Sequence, residues 1–298
     1  MYHLTECNLC KGKSFFILYS QSIGYNKPWS VFLEKSFFPL TIRGKLCLSC
    51  GWIFKELAYD SEELASLYNM RADSLSVEAE MLADINARYR GQRIFQTVEP
   101  WLLSVGHVLD VGGRNGELMQ DFIEKGFKVS VLDMDAGNPI SRQMIKIRSS
   151  FLAWNENTYD LITMSHVLEH TASPGEFLLH ARKLLKEDGI LFIEVPSELC
   201  TCLIKRHVGD HRHLCYFTRE TLRGYLDSSG FECVSCKLLV DLVGSKIPLI
   251  RAVAKKAVNN DTLGLLHPSR SAVFRSLEDV LHPITWFSRI FRGFHFGR

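Results

Sequence analysis

The chain has 298 residues, 46% of them hydrophobic and 23% charged, proportions that fit a folded protein of one large or two modest domains. A formal net charge of +2 gives no field for a polyanion and so excludes bulk nucleic-acid binding. No apolar run approaches the ~20 residues needed to cross a bilayer, and the start, MYHLTECNLCKGK, has no apolar stretch before its cysteines, so a cytosolic setting with reduced thiols is expected rather than a secretory leader.

Two CxxC pairs come first, Cys7 with Cys10 and Cys47 with Cys50, the second followed by Gly51. Four thiolates complete a tetrahedral zinc site with no open position, so the spacing predicts a structural Zn2+ whose binding energy folds the segment that carries it. A zinc ribbon is therefore expected over residues 1–58. A redox pair or accidental spacing is the rival reading.

A helical connector is expected over residues 59–100. Asp60 and Glu63 suit a capping box, Leu64, Leu67 and Tyr68 repeat at helical spacing, and Pro100 ends the run.

Residues 106–116, GHVLDVGGRNG, then take an apolar strand into a glycine-rich turn that opens the helix NGELMQDFIEKG. Glycine lets the backbone pass close to a ligand, and a helix start offers unpaired N–H groups. A second strand, KVSVLDMD, ends in Asp133, where a dinucleotide fold places the acid that bonds ribose hydroxyls. GxxxxGK[ST] is absent, Glu117 would repel phosphate at the helix start, and GxGxxG is absent too. A ligand with a ribose and no phosphate fits better.

Further strands are expected at YDLITMS, at ILFIEV and at Phe231. Between them, Ser173 with Glu176 suits a capping box for a helix closed by Gly189, and Thr218 opens another helix, TRETLRGYLDSSG. Cys233 and Cys236 form a third CxxC, but on a strand positions i and i+3 point to opposite faces, so these two, with Cys200, Cys202 and Cys215, read as packing residues. From residue 241 to 298 the chain is basic and aromatic. Val280, Ile284, Phe287 and Phe291 share a helical face suited to a lid, a second subunit or an anionic membrane surface.

Two histidine clusters remain. HVLEH, residues 166–170, formally matches the HxxEH pattern of a zinc protease, but a strand enters it and Thr171, Ala172, Ser173 and Pro174 break any helix beyond it. His170 and Glu169 could instead orient the loop by hydrogen bonds, or contribute an incomplete set of metal ligands. GDHRHLCYFTRETL crowds Asp210, His211, His213 and Tyr216 after the strand ILFIEV.

VLDVGGRNG resembles the first motif of class I S-adenosylmethionine-dependent methyltransferases, usually VLDxGCGxG, with Gly113 and Arg114 in place of Cys-Gly. VSVLDMD is similar to their second motif, YDLITMSHVLEH to the fourth strand and its exit, and DGILFIEVPS to the fifth. The resemblance implies an α/β, Rossmann-like doubly wound sheet over residues 101–240. It implies S-adenosylmethionine bound by Asp110, Gly112, Gly113, Asn115 and Gly116, by Asp133 and Met134, by Phe151 and Leu152 at the adenine, and by Ser165. The acid many relatives place near the adenine amine is absent from IRSSFLAW.

The front segment, with FFPLTIRGKLCLSCGWIF and DSEELASLYNM, resembles the zinc domain of sugar C-methyltransferases of antibiotic biosynthesis, although the residues after Cys236 are too few for that family's large third domain. That resemblance aligns His213 with a proposed catalytic histidine and Tyr216 with a pocket tyrosine. Arg212 stands where a Glu is expected, and a cation there would lower the basicity of His213.

The resulting expectation is methyl transfer to a small-molecule acceptor, at a hydroxyl or a carbon of a sugar, nucleotide-sugar or glycan precursor. His213, or else His211 or His166, is the general base, with Tyr216 in the pocket. The rival class is a noncatalytic subunit that binds the same cofactor; the protease is the remote alternative.

Overall fold

The computed structural model describes residues 2–23, 40–58, 77–134, 139–156, 158–197, 213–240 and 248–258. The capping signal at Asp60, the residues Asp210, His211 and Arg212, the cysteines Cys200 and Cys202, and the aromatic tail lie outside them.

Thirteen strands are described. In the amino-terminal part they are β1 (Tyr2–His3), β2 (Phe15–Ile23), β3 (Leu40–Cys47), β4 (Ile53–Lys55) and β5 (Leu57–Ala58). Next come β6 (His107–Val111), β7 (Lys128–Asp133), β8 (Met144–Arg148), β9 (Tyr159–Ser165) and β10 (Leu185–Pro196). The last are β11 (Cys215–Tyr216), β12 (Phe231–Val240) and β13 (Pro248–Lys256). The α-helices are α1 (Val77–Val98), α2 (Gln120–Glu124), α3 (Pro174–Leu184) and α4 (Arg219–Ser228).

Seven strands form the main sheet in the order β12-β13-β10-β9-β6-β7-β8. β6 pairs in parallel with β7 and β9, β7 with β8, and β9 with β10. The chain moves outward from β6 to β8 and then returns to β9 on the other side of β6. That reversal opens a crevice beyond the carboxyl ends of β6 and β9, the place where open parallel sheets bind ligands.

Both faces are covered, which is why the strands read as nearly continuous apolar runs. Val108, Val129, Val131, Leu161 and Phe192 face Ile94, Phe95 and Val98 of α1 and Phe122 of α2. Leu109, Val111, Ile162, Met164 and Ile193 face the other way, toward α3 and α4 and the amino-terminal unit. Gly91 lets α1 lie close to the cofactor-loop region, since a Cβ there would meet the Leu118 carbonyl.

Four local expectations are corrected. The tail expected to be helical from residue 241 contains β13, antiparallel between β10 and β12. Two basic residues of β13 find partners in the sheet: Arg251 is buried against Glu194, and Lys256 reaches Glu187. Gly189 does not close α3, which ends at Leu184 and runs directly into β10, whose register shifts between Leu185 and Ile190. Ser173 is the N-cap of α3 without a side-chain cap bond; the Glu176 N–H donates to the Ser173 carbonyl at 3.1 Å instead. A bulge between Cys233 and Ser235 pairs Cys233 with Ala254 and Cys236 with Ala252, which puts both thiols on one face.

Thr218 does cap α4. Its hydroxyl accepts from the Thr221 N–H at 2.9 Å while its own N–H donates to the Thr221 hydroxyl at 2.9 Å. Thr218→Ala should therefore cost about 1 kcal/mol, read as a lower denaturant midpoint with unchanged slope; an unchanged midpoint would show that the cap contributes nothing.

Candidate functional site

The crevice is built by backbone. Gly112 and Gly116 take φ of 68° and 82°, where a side chain would strain the turn. A Cβ on Gly113 would overlap the Asp110 carboxylate. Asp110 is buried and its Oδ1 accepts from the Thr163 hydroxyl at 2.7 Å. Burial pushes its carboxyl up to about 7 against that hydrogen bond, with the charges of Glu117 and Asp133 adding to the rise.

Arg114 also adopts positive φ, 48°, so the turn forms without the usual glycine. Its N–H donates to Asp133 Oδ2 at 2.8 Å, and its carbonyl accepts from Lys146 Nζ. The loop and the carboxylate at the end of β7 are thereby tied together. After Gly116 the first turn is 3-10, Glu117–Met119, rather than the regular helix start expected from the sequence.

Asn115 accepts from the Ile140 N–H through its carbonyl, and its side-chain oxygen is buried without a partner. Met134 is half exposed beside Asp133. Of the two residues expected at the adenine, Leu152 is partly exposed on the turn after β8, whereas Phe151 is buried against Phe177 and His180, so its ring belongs to the core.

Beyond β9 the HVLEH segment is a strand exit followed by a 3-10 turn, Leu168–His170, not a continuous helix, which removes the protease reading. Glu169 is 1% exposed, and three imidazoles converge on it. His166 Nδ1 lies 2.9 Å and His170 Nε2 3.8 Å from Glu169 Oε1, and the His213 ring stands 4.8 Å from that of His170, centroid to centroid. Burial alone would raise the Glu169 carboxyl, but His170, His166 and His213 hold it down to about 2.

His213 arrives from far along the chain. The next residue, Leu214, donates its N–H to the Glu169 carbonyl and accepts at its own carbonyl from the Lys55 N–H, each at 2.7 Å. β11 then pairs with β4 as the fourth strand of the amino-terminal sheet β11-β4-β3-β2. Tyr216 is buried there, its hydroxyl 3.3 Å from that of Tyr19.

Comparison with known proteins agrees with this architecture. A family profile described as a methyltransferase domain matches residues 83–236, more than half of the chain. The chain belongs to the methyltransferase-domain family. A Caulobacter vibrioides ubiquinone biosynthesis O-methyltransferase is 29% identical over 114 residues, 34% of this chain and 45% of that relative. A second protein of that name, from Colwellia psychrerythraea, is 24% identical over 43% of this chain and 61% of its own. The chain thus spans about half the length of the curated relatives it matches. Among solved structures, the Burkholderia thailandensis 1,6-didemethyltoxoflavin-N1-methyltransferase, with that compound and S-adenosylhomocysteine bound, superposes at TM-score 0.52. It is 17% identical and covers 69% of this chain and 96% of its own, a likeness of fold.

In this methyltransferase-domain chain the sequence missed one group that the structure puts beside Ser165. Arg90 of α1 donates to the Ser165 hydroxyl at 2.9 Å and to Glu194 Oε1 at 2.8 Å, while Ser165 also donates to Glu194 at 2.9 Å. Arg251 closes the group from β13, 2.5 Å from Glu194 Oε2. A fully buried acid in FIEVPS was the available signal, since such a charge must be paired. Burial raises the Glu194 carboxyl, and Arg90, Arg251 and His166 hold it at about 2.

The four amino-terminal cysteines also meet. Cys7 and Cys50 sulfurs are 3.6 Å apart, as are those of Cys10 and Cys47, and all four lie within 4.8 Å of one another. A tetrahedral zinc with bonds of ~2.3 Å has sulfur–sulfur edges of about 3.8 Å, so the four-cysteine group could hold zinc. The phenol of Tyr225 on α4 is buried beside this cluster with no partner for its hydroxyl, a donor suited to a thiolate.

Glu194 gives a pH prediction. A carboxyl held at about 2, below its ordinary 4.5, contributes stability above pH 4.5 that is lost as pH falls from 4.5 through 2. Glu194→Gln, which strands two guanidinium groups, should destabilise by about 3 kcal/mol at pH 7 and flatten the acid limb. Denaturation at several pH values reads both, and an acid limb as steep as that of the parent protein would contradict the pairing.

Proposed function

We propose that this protein transfers a methyl group from S-adenosylmethionine to a hydroxyl of a small-molecule acceptor. The observation that carries the reading is the convergence of His166, His170 and His213 on one buried carboxylate, beside a crevice whose loop and acid match the cofactor motifs. The O-methyltransferase name of the curated relatives supports oxygen as the acceptor atom. A sugar or nucleotide-sugar acceptor draws its support from the amino-terminal segment.

The cofactor supplies an activated methyl on sulfur, so the chain must position an acceptor and take one proton. Asp133 holds the ribose hydroxyls, the loop from Asp110 to Gly116 contacts the methionine and ribose side, with Asp110, Gly112, Gly113 and Asn115 shaping it, and Met134, Leu152 and Ser165 line its rim. His213 takes the acceptor proton on its imidazole. Glu169, hydrogen-bonded to His166 and close to His213, stabilises the imidazolium that forms. His166, in strained positive-φ backbone at the strand exit, borders the same space. Cys7, Cys10, Cys47 and Cys50 hold a structural zinc ion with no open position.

Calorimetry should find S-adenosylhomocysteine binding that Asp133→Ala weakens by about 2 kcal/mol. His213→Ala should retain that binding while turnover on a panel of hydroxylated acceptors falls by about 10²-fold or more. Absence of binding by the parent protein would end the reading, and binding with no turnover across the panel would favour a noncatalytic subunit. Metal analysis should find one zinc per chain, lost in Cys47→Ser; finding none would end the zinc assignment.

A further inference from the structure

We propose that the four-cysteine unit is a working part of the acceptor site: through β4 it holds β11, and with it His213, against Glu169. Metal occupancy therefore governs the acceptor side and leaves cofactor binding intact. The inference rests on the methyl-transfer reading and on zinc at the cysteines, and it names what the amino-terminal unit does in that reaction.

The path is short and made of backbone. Cys47 ends β3, the turn carrying Cys50 follows, and Ile53–Lys55 is β4, two residues beyond Gly51. Cys47 N–H donates to the Trp52 carbonyl at 2.8 Å, which fastens the turn to the strand. β4 pairs with β11 at Phe54 with Cys215 and at Ile53 with Tyr216. Leu214, adjacent to His213, is held on one side by the cofactor-domain loop at Glu169 and on the other by Lys55.

Further contacts tie the same unit to that loop and to the segment from β11 into α4. Asn8, between Cys7 and Cys10, donates its side-chain amide to the Ala172 carbonyl. Trp52 lies between Phe217 and Tyr225, ring centroids 4.8 and 4.7 Å away. The hydrogen bonds of the cofactor loop run to other elements: Gly112 donates to the Leu132 carbonyl, Arg114 to Asp133, and Asn115 accepts from Ile140. β4 is only three residues long, and a segment of that size keeps its place only when its neighbours are fixed. Four thiolates on one ion would fix the Cys47–Cys50 turn that leads into β4 against the Cys7–Cys10 turn.

The experiment compares zinc-loaded and chelator-stripped full-length protein by two readouts: calorimetry with S-adenosylhomocysteine, and NMR titration of the His213 imidazole, assigned with His213→Ala. Stripping is expected to leave the cofactor dissociation constant within about twofold, to move the His213 titration midpoint and to lower turnover by about 10²-fold. An unchanged His213 titration overturns the proposal whatever the turnover does. Loss of cofactor binding on stripping also overturns it, because the unit would then support the whole fold.

Lys55→Pro removes the N–H that holds Leu214 while keeping all four cysteines. It should retain zinc and cofactor affinity and shift the His213 titration, whereas Lys55→Arg, which keeps both the N–H and the cation, should not shift it; equal behaviour of the two variants counts against the linkage. If His213→Ala keeps full turnover, the base assignment fails, and the His213 titration still reports on the link to the metal unit.

Discussion

Leu214 is where two separately built parts of the molecule are joined, one through its N–H and the other through its carbonyl. On one side lies the parallel sheet, whose reversal at β6 and β9 creates the crevice. On the other lies the amino-terminal antiparallel sheet, ordered around four cysteines. Neither part contains the whole candidate site, because the glycine loop and Asp133 belong to the first while the backbone that presents His213 is shared.

The electrostatics follow from that joint. Glu169 and Glu194 are both buried carboxylates held near 2, one by imidazoles and the other by guanidinium groups. Glu194 lies near the end of β10 and Glu169 in the turn after the adjacent strand β9, and His166 lies between them, 2.9 Å from Glu169 and 3.8 Å from Glu194. Asp110 behaves in the opposite way. Burial raises its carboxyl, with the charges of Glu117 and Asp133 adding to the rise against the Thr163 hydrogen bond and the charge of Arg90.

What could be read from the sequence was local. VLDVGGRNG, Asp133 and the two amino-terminal CxxC pairs are short-range spacings that encode turn geometry and ligand number, and their residues come together as the spacing implies. What could not be read was long-range pairing. β13 looked like a basic tail because Arg251 and Lys256 find their partners on β10, contacts that the chain order hides. β11 is two residues long and pairs with a strand about 160 residues earlier, so no periodicity announces it. The bulge that brings Cys233 and Cys236 to one face likewise depends on the partner strand.

The central claim is that the crevice and the Glu169 cluster form one site. A crystal structure of the full-length protein with S-adenosylhomocysteine tests it most directly. The account predicts the ribose hydroxyls within hydrogen-bond distance of the Asp133 carboxylate and the cofactor sulfur facing the space bordered by His166 and His213. A ligand bound elsewhere, or a sulfur turned away from that space with the histidines on the far side of β11, would contradict it.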